Sequence, residues 1–88
     1  MLDISKWVND AASGATVEYF NGELARTRYE VAEDKRRGVL VSPDVECALR
    51  NARDAWALYE AGAVTLTQRW AHAIKPGVYA YSYLATRA

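Results

Sequence analysis

The sequence has little of the chemistry that enzymes and metal sites need. Its 88 residues include one cysteine and one histidine, with no pair of His or Cys at metal-binding spacing. A nucleophile relay needs a base, and His72 is the one side chain whose ordinary pKa lies near neutrality. A structural zinc site needs several such ligands, and a phosphate loop needs glycines that this sequence lacks. We therefore expect no catalytic residue, no metal and no cofactor.

A second cysteine and a long apolar run are also missing. Cys47 has no partner for an internal disulfide, and no stretch approaches the roughly 20 apolar residues of a membrane span. The start MLDISKWVND carries neither a basic leader nor a long apolar segment. These features predict a single domain over residues 1–88, in a reducing cytoplasm and without a membrane partner.

Net charge is absent as well, although the two signs are unevenly distributed. Residues 1–34 carry three basic and seven acidic side chains, a net charge of −4, and residues 35–88 carry the compensating +4. Such a division is typical of a basic binding face backed by an acidic one, or of two mixed faces that mingle in space.

The first third of the chain predicts a helix and then a strand. Ile4, Trp7, Val8 and Ala11 have helical spacing, with Asp3 as the cap, and ATVEYF is rich in β-branched and aromatic residues. Residues 22–34 fit two structures. Asn21-Gly22 is a hairpin signal followed by alternating residues, but the segment also contains helix formers with a loose stripe of Leu24, Arg28, Val31 and Ala32. We favour the helix.

The best-defined element is a long helix beginning at Ser42-Pro43, with serine as the N-cap and proline at the first helical position. It follows a charged connector, DKRRG, and ends at Gly62. The apolar stripe predicts the buried face, and the polar residues off the stripe predict an outer face open to water or a partner. The stripe is Val45, Leu49, Ala52, Trp56 and Tyr59, and the outer face is Glu46, Arg50, Asn51, Arg53 and Asp54.

Two alternating strands close the sequence. The segments 63–70 and 78–85 alternate in polarity, and AHAIKPG between them predicts a hairpin with a seven-residue tip. Tyr79, Tyr81 and Tyr83 share one strand face, where they either form part of the core or offer a stacking platform for bases. The core interpretation is the commoner one for alternating aromatic residues.

The elements in order predict an α+β fold resembling a winged helix-turn-helix domain: two or three helices and a small antiparallel sheet ending in a β-hairpin. In that architecture the long helix enters the major groove and the hairpin is the wing. The connector of residues 35–42 is longer than the usual tight turn. The candidate nucleic-acid residues lie before the long helix, on its outer face and at the wing: Lys35, Arg36, Arg37, Arg50, Asn51, Arg53, Arg69, His72 and Lys75. Among these, Asn51 is the predicted base reader.

Three segments resemble a pattern in small bacteriophage and prophage proteins. The pattern is Y-x-x-G-x-L-A-x-x-R, then G-x-V-x-L-x-Q-R, then Y-x-Y-x-A-x-R, and it spans residues 14–87. In this sequence its positions are Tyr19, Gly22, Leu24, Ala25, Arg28, Gly62, Val64, Leu66, Gln68, Arg69, Tyr81, Tyr83, Ala85 and Arg87. The resemblance implies a phage or prophage origin, the cytoplasm of a bacterial host, and a role in regulation or in manipulating the host. It supplies no catalytic residues.

A protein partner is the alternative to nucleic acid. The acidic first half and the many Trp and Tyr residues are typical of an inhibitor or adaptor that binds a host complex, of the anti-defence or anti-CRISPR type. Its candidate interface, which would imitate a phosphate backbone, comprises Glu23, Glu30, Glu33 and Asp34. An exposed edge strand could also pair two copies as a homodimer.

Overall fold

Residue types at the element ends set the limits of three helices and three strands. The computed structural model describes residues 2–88 and all their side chains except those of Ile74 and Val78. The elements are α1 (Ile4–Asp10), β1 (Thr16–Gly22), α2 (Leu24–Arg36), α3 (Pro43–Glu60), β2 (Val64–Lys75) and β3 (Val78–Arg87). The predicted α+β class with a small antiparallel sheet is confirmed.

The predicted helix caps are present. The Asp3 carboxylate accepts hydrogen bonds from the backbone N–H groups of Ser5 and Lys6 at 3.1 and 3.4 Å. The Ser42 hydroxyl accepts one from the Asp44 N–H at 3.2 Å, and α3 ends before Gly62, which has a φ of 79°. Caps of this kind provide hydrogen-bond partners for backbone groups that the first or last turn of a helix leaves without one.

The sheet has the strand order β1-β3-β2 and is antiparallel throughout. The last strand, β3, therefore lies in the centre. A register shift between Glu18 and Phe20 interrupts the pairing of β1 with β3. Both Tyr19 and Phe20 are consequently buried, at 8% and 7% exposure, although they are neighbours in sequence.

Residues 22–34 were open to two interpretations, and the helix is the correct one. Gly22 ends β1 with a φ of 132°, and β1 pairs with β3 instead of with the residues that follow it. Glu23 occupies the N-cap position of α2 without a side-chain cap. The hydroxyl of Tyr83 instead accepts a hydrogen bond from the Leu24 N–H at 3.2 Å. A distant tyrosine on β3 thus stabilises the start of α2.

One face of the sheet packs against α3, and α1 packs against α3, so that all of these elements contribute to one core. Ile4, Ala55 and Ala85 have no exposed surface, and Val64 retains 2%. Tyr83 packs against this cluster, with its ring centroid 5.5 Å from that of Phe20. The prediction that the β3 tyrosines form a core face is therefore correct for Tyr83, whereas Tyr79, at 39% exposure, lies largely outside the core.

The predicted buried face of α3 is wrong. The observed face is rotated about the helix axis from the predicted one by less than 100°, which is the angle between successive residues. The buried residues of α3 are Asn51, Ala52 and Ala55, whereas Trp56 and Tyr59 are 56% and 46% exposed. Small side chains let α3 lie close to the sheet, so the bulky residues are displaced to the side of the helix. Hydrophobicity alone gave the larger residues too much weight.

The predicted seven-residue hairpin tip is also wrong. Pairing of β2 with β3 continues to Lys75 and Val78, so the turn consists of Pro76 and Gly77 alone, the latter with a φ of 79°. The residues that do not alternate in polarity are part of the paired strands, because register shifts after Trp70 and after Ala73 accommodate them. The hairpin makes the molecule elongated, with a longest extent of 41 Å and a radius of gyration of 13.9 Å, against about 12 Å for an average domain of this length.

Candidate nucleic-acid interface

The clearest concave feature is a cleft between α2 and α3. It has a volume of about 610 Å³ and is lined by Arg28, Lys35, Glu46, Leu49, Arg50 and Arg53. Four of these six side chains are cationic and one is anionic. Three of the predicted nucleic-acid residues therefore share one concave surface, together with one cation that the sequence analysis did not select.

The cleft exists because α2 packs lightly. Of the 13 residues of α2, all of which the structure describes, none is buried. The helix contacts the rest of the chain at both of its ends. Its first N–H donates to Tyr83, and near its last turn the Lys35 ammonium lies 2.8 Å from the Glu46 carboxylate of α3. Between these attachments the facing sides of the two helices remain open to solvent.

Arg28 is the cation that the sequence analysis missed as a site residue. It is part of the loose stripe of Leu24, Arg28, Val31 and Ala32 that predicted the helix, and the structure places it at the edge of the cleft. The guanidinium lies close enough to Tyr19 to lower the pKa of that phenol, against the larger effects of burial and of Tyr83, which together raise it. The sequence contained one signal for this site, which is the presence of an arginine among the apolar residues of the stripe. A charge at such a position indicates a side of the helix that borders a solvent-filled cleft.

Asn51, the predicted base reader, is a structural residue. It is 4% exposed. Its Oδ1 accepts a hydrogen bond from the Ile4 N–H at 3.0 Å, and its Nδ2 donates to the Leu2 carbonyl at 2.8 Å. The side chain holds the start of α1 to α3, and its Nδ2 also lies 4.0 Å from the Sγ of Cys47. Its assignment to the outer face of the helix was wrong because the buried face is rotated toward it.

Trp56 and Tyr59 form an exposed aromatic pair beside the basic cleft. Their ring centroids are 5.3 Å apart and their planes are inclined by 43°. Trp56, with Arg28 and Arg53, lines a smaller recess of about 370 Å³. Both aromatic residues belong to the apolar stripe that predicted the buried face of α3, and both are exposed in the structure. The recess therefore combines an accessible π system with two guanidinium groups from different helices.

Arg36 and Arg37 lie outside the residues that line the cleft. Arg36 is paired with Glu33, and the Arg37 guanidinium lies 3.4 Å from the Asp34 carboxylate. Both arginines remain mostly exposed, so these pairs are weak and water screens them. Lys35 and Arg53 of the cleft also lie beside carboxylates, those of Glu46 at 2.8 Å and Asp54 at 3.6 Å, so it is position and not pairing that separates Arg36 and Arg37 from the cleft.

The predicted wing residues Arg69, His72 and Lys75 are all exposed. Pairing is regular from Val64 to Trp70, so Arg69 lies on the opposite face of the sheet from Leu66, which packs on the core. Arg69 therefore points away from α3. His72 and Lys75 follow the two register shifts near the turn. The structure does not bring these three cations into the cleft.

The acidic residues proposed for a protein interface are engaged within the chain. The Glu23 carboxylate accepts a hydrogen bond from the Tyr79 N–H at 3.2 Å, and Glu30 pairs with Arg26 at 3.1 Å. Glu33 and Asp34 pair with Arg36 and Arg37, as above. The negative first half of the sequence therefore does not form a uniformly negative surface on α2, because α2 carries its own cations.

Cys47 is half-buried and far in sequence from His72. Its Sγ lies 3.8 Å from the Leu2 carbonyl and 3.5 Å from the Arg50 guanidinium. Within residues 2–88, no group of three His, Cys, Asp or Glu side chains is arranged to hold a metal ion. The described helices also include none that is both long and apolar enough to cross a membrane.

Comparison of the chain with protein-family models, curated protein sequences and solved structures found no match. The geometry of the cleft is therefore the basis for assigning a function.

Proposed function

We propose that the protein binds nucleic acid through the cleft between α2 and α3, as a regulator with a winged-helix-like arrangement. The observation that supports this most directly is the grouping of Arg28, Lys35, Arg50 and Arg53 around one concave surface that contains a single carboxylate. Clustered guanidinium and ammonium groups attract phosphates and release the counterions bound to them. Arginine also forms bidentate hydrogen bonds with phosphate oxygens.

The surrounding architecture is compatible with this proposal. The element order and the strand order β1-β3-β2 end in a projecting hairpin, which would serve as the wing. Lys75 at the hairpin end would add a phosphate contact distant from the cleft. Asn51 does not serve as a base reader, because its amide group is hydrogen-bonded to the backbone of Leu2 and Ile4.

A phage or prophage origin remains a proposal supported by the sequence pattern described above. On the same basis we propose that the protein acts in the bacterial cytoplasm and that its role is regulatory and not catalytic. A protein of this kind would bind nucleic acid of the phage or of its host.

The test is nucleic-acid binding measured by fluorescence anisotropy across a salt series. Arg28→Ala and Arg53→Ala should each weaken binding and reduce the slope of log K against log salt, since each removes one phosphate contact. Arg26→Ala is the matched control, because it removes the same charge from α2 at a residue that pairs with Glu30 and does not line the cleft. Absence of binding at low salt, or equal losses for Arg28→Ala and Arg26→Ala, contradicts the proposed site.

A protein-binding inhibitor is the second candidate, and exposed apolar residues favour it. Leu40 is 96% exposed and Val39 51% exposed in the connector between α2 and α3, and Tyr29 on α2 is 67% exposed. Exposed apolar residues of this kind mark protein interfaces when they are grouped. A stable complex with a host protein that survives gel filtration and is lost in Leu40→Ser would favour this function over nucleic-acid binding.

A further inference from the structure

The recess next to Trp56 differs in chemistry from the rest of the cleft. Arg50 and Lys35 offer charge alone, whereas the recess of about 370 Å³ is lined by the indole of Trp56 together with Arg28 and Arg53. A tryptophan that is 56% exposed leaves a large apolar surface in water. A ligand that covers this ring therefore gains free energy that a simple phosphate contact does not provide.

A second aromatic ring contacts the indole of Trp56 on one side. Tyr59, one helical turn further along α3, lies with its centroid 5.3 Å from that of Trp56. The pair lies on a regular helix of 18 residues, so the ring is held on a rigid element. Arg28 reaches the same recess from α2, across the cleft. An aromatic ring flanked by cations is the arrangement with which proteins bind single-stranded nucleic acid.

We infer that the recess binds an unpaired nucleotide, whose base stacks on Trp56 while adjacent phosphates contact Arg28 and Arg53. The protein therefore prefers single-stranded nucleic acid to duplex. This inference rests on the proposed function and specifies which form of nucleic acid occupies the cleft.

The preference for single strands follows from which parts of a base are accessible. In a duplex both faces of each base are covered by its neighbours, and only the edges are open in the grooves. An indole can stack only on a base that has left the stack. Asn51, the predicted reader of base edges in a duplex, is 4% exposed, and its amide group is hydrogen-bonded within the protein.

The experiment compares three probes of equal length: a single-stranded oligothymidylate, a duplex, and an abasic strand with the same phosphates but no bases. Anisotropy at low salt measures the affinity of the full chain for each probe. The wild type should bind the single strand more tightly than the other two. Stacking of a base on an aromatic side chain contributes about 1–3 kcal/mol, so the abasic strand should bind about 5- to 150-fold more weakly.

Variants identify the ring responsible. Trp56→Ala should weaken binding of the single strand by a similar factor and leave the affinity for the abasic strand unchanged, and Trp56→Phe should restore part of the loss. Trp70→Ala is the matched control, because Trp70 is 62% exposed on β2 and should have little effect. Circular dichroism and thermal unfolding establish that both variants fold, as their exposure predicts.

The outcomes separate this inference from the proposed function. Equal affinity for single strand and abasic strand, or for single strand and duplex, overturns the stacking site while nucleic-acid binding stands. An equal loss in Trp56→Ala and Trp70→Ala also overturns it. Absence of binding to all three probes at low salt overturns the proposed function itself.

Discussion

The Asn51 side chain of α3 accepts a hydrogen bond from the backbone N–H of Ile4 at 3.0 Å, inside the core. The contact joins residues 47 positions apart and fixes the start of α1 on the long helix. Its second bond, from Nδ2 to the Leu2 carbonyl at 2.8 Å, completes the attachment. Asn51 therefore contributes to stability, and the contribution can be measured.

Replacing Asn51 with alanine should lower the free energy of unfolding by at least about 1–3 kcal/mol, because the buried Ile4 N–H loses its acceptor. Urea denaturation gives the change. Asn9→Ala, on the exposed side of α1, should change stability by less than about 0.5 kcal/mol. A variant as stable as the wild type but impaired in nucleic-acid binding would return Asn51 to the role of base reader.

Ala55 and Ala57 form a matched pair on α3. Ala55 has no exposed surface, whereas Ala57 is exposed. Leucine at position 55 must displace the sheet or α1 and should cost about 1–3 kcal/mol through overpacking, whereas Ala57→Leu should be nearly neutral. Thermal unfolding of the two variants checks the orientation of α3, and similar effects would contradict the buried face described here.

The carboxylate of Glu46 lines the basic cleft and lies 2.8 Å from Lys35. Glu46→Gln should therefore tighten nucleic-acid binding several-fold at low salt, since it removes a negative charge and releases the Lys35 ammonium. Asp44→Asn is the control, because Asp44 also lies in the first turn of α3 but does not line the cleft. An equal gain in both variants would indicate a general effect of net charge.

Tyr19 makes stability sensitive to alkaline pH. Burial, followed by the nearby Tyr83, raises the pKa of its phenol above the ordinary value of 10.0, and Arg28 partly opposes this. The folded state thus holds the proton more tightly than the unfolded state. The stabilisation is fully present below pH 10 and is lost as the pH rises through the folded-state pKa.

Tyr19→Phe tests this pH dependence. The variant should lose less stability than the wild type when urea unfolding is repeated above pH 10, because it lacks the group that ionises. Tyr29→Phe, at a site that is 67% exposed, should behave as the wild type does. Parallel pH profiles for all three proteins would show that Tyr19 does not link protonation to folding.

Local signals in the sequence predicted the elements well where the physics is local. Caps such as Asp3 and Ser42 depend on residues two or three positions away, and the final strands depend on alternation along one segment. The extension of β2 to Lys75 was not predicted, because its pairing with β3 continues beyond Trp70 only through two register shifts. Such irregularities depend on the partner strand, which the local pattern does not contain.

The candidate site was predicted in part. Lys35, Arg50 and Arg53 do share a cleft, whereas Arg69, His72 and Lys75 lie elsewhere on the hairpin. Arg28 lines the cleft and Trp56 lines the adjoining recess, but both were assigned to apolar stripes. A stripe records periodicity, and it does not distinguish a buried face from the side of a helix that borders an open cleft.

What the sequence determined by itself was the set of helices and strands, their order and the shortage of catalytic side chains, because capping, periodicity and composition act over a few residues. Tertiary structure alone decided which face of α3 is buried. Three-dimensional packing buried Asn51, Ala52 and Ala55 and left Trp56 exposed, since close approach of a helix to a sheet favours small side chains over large ones. That rotation removed the predicted base reader and exposed the ring on which the proposed site depends.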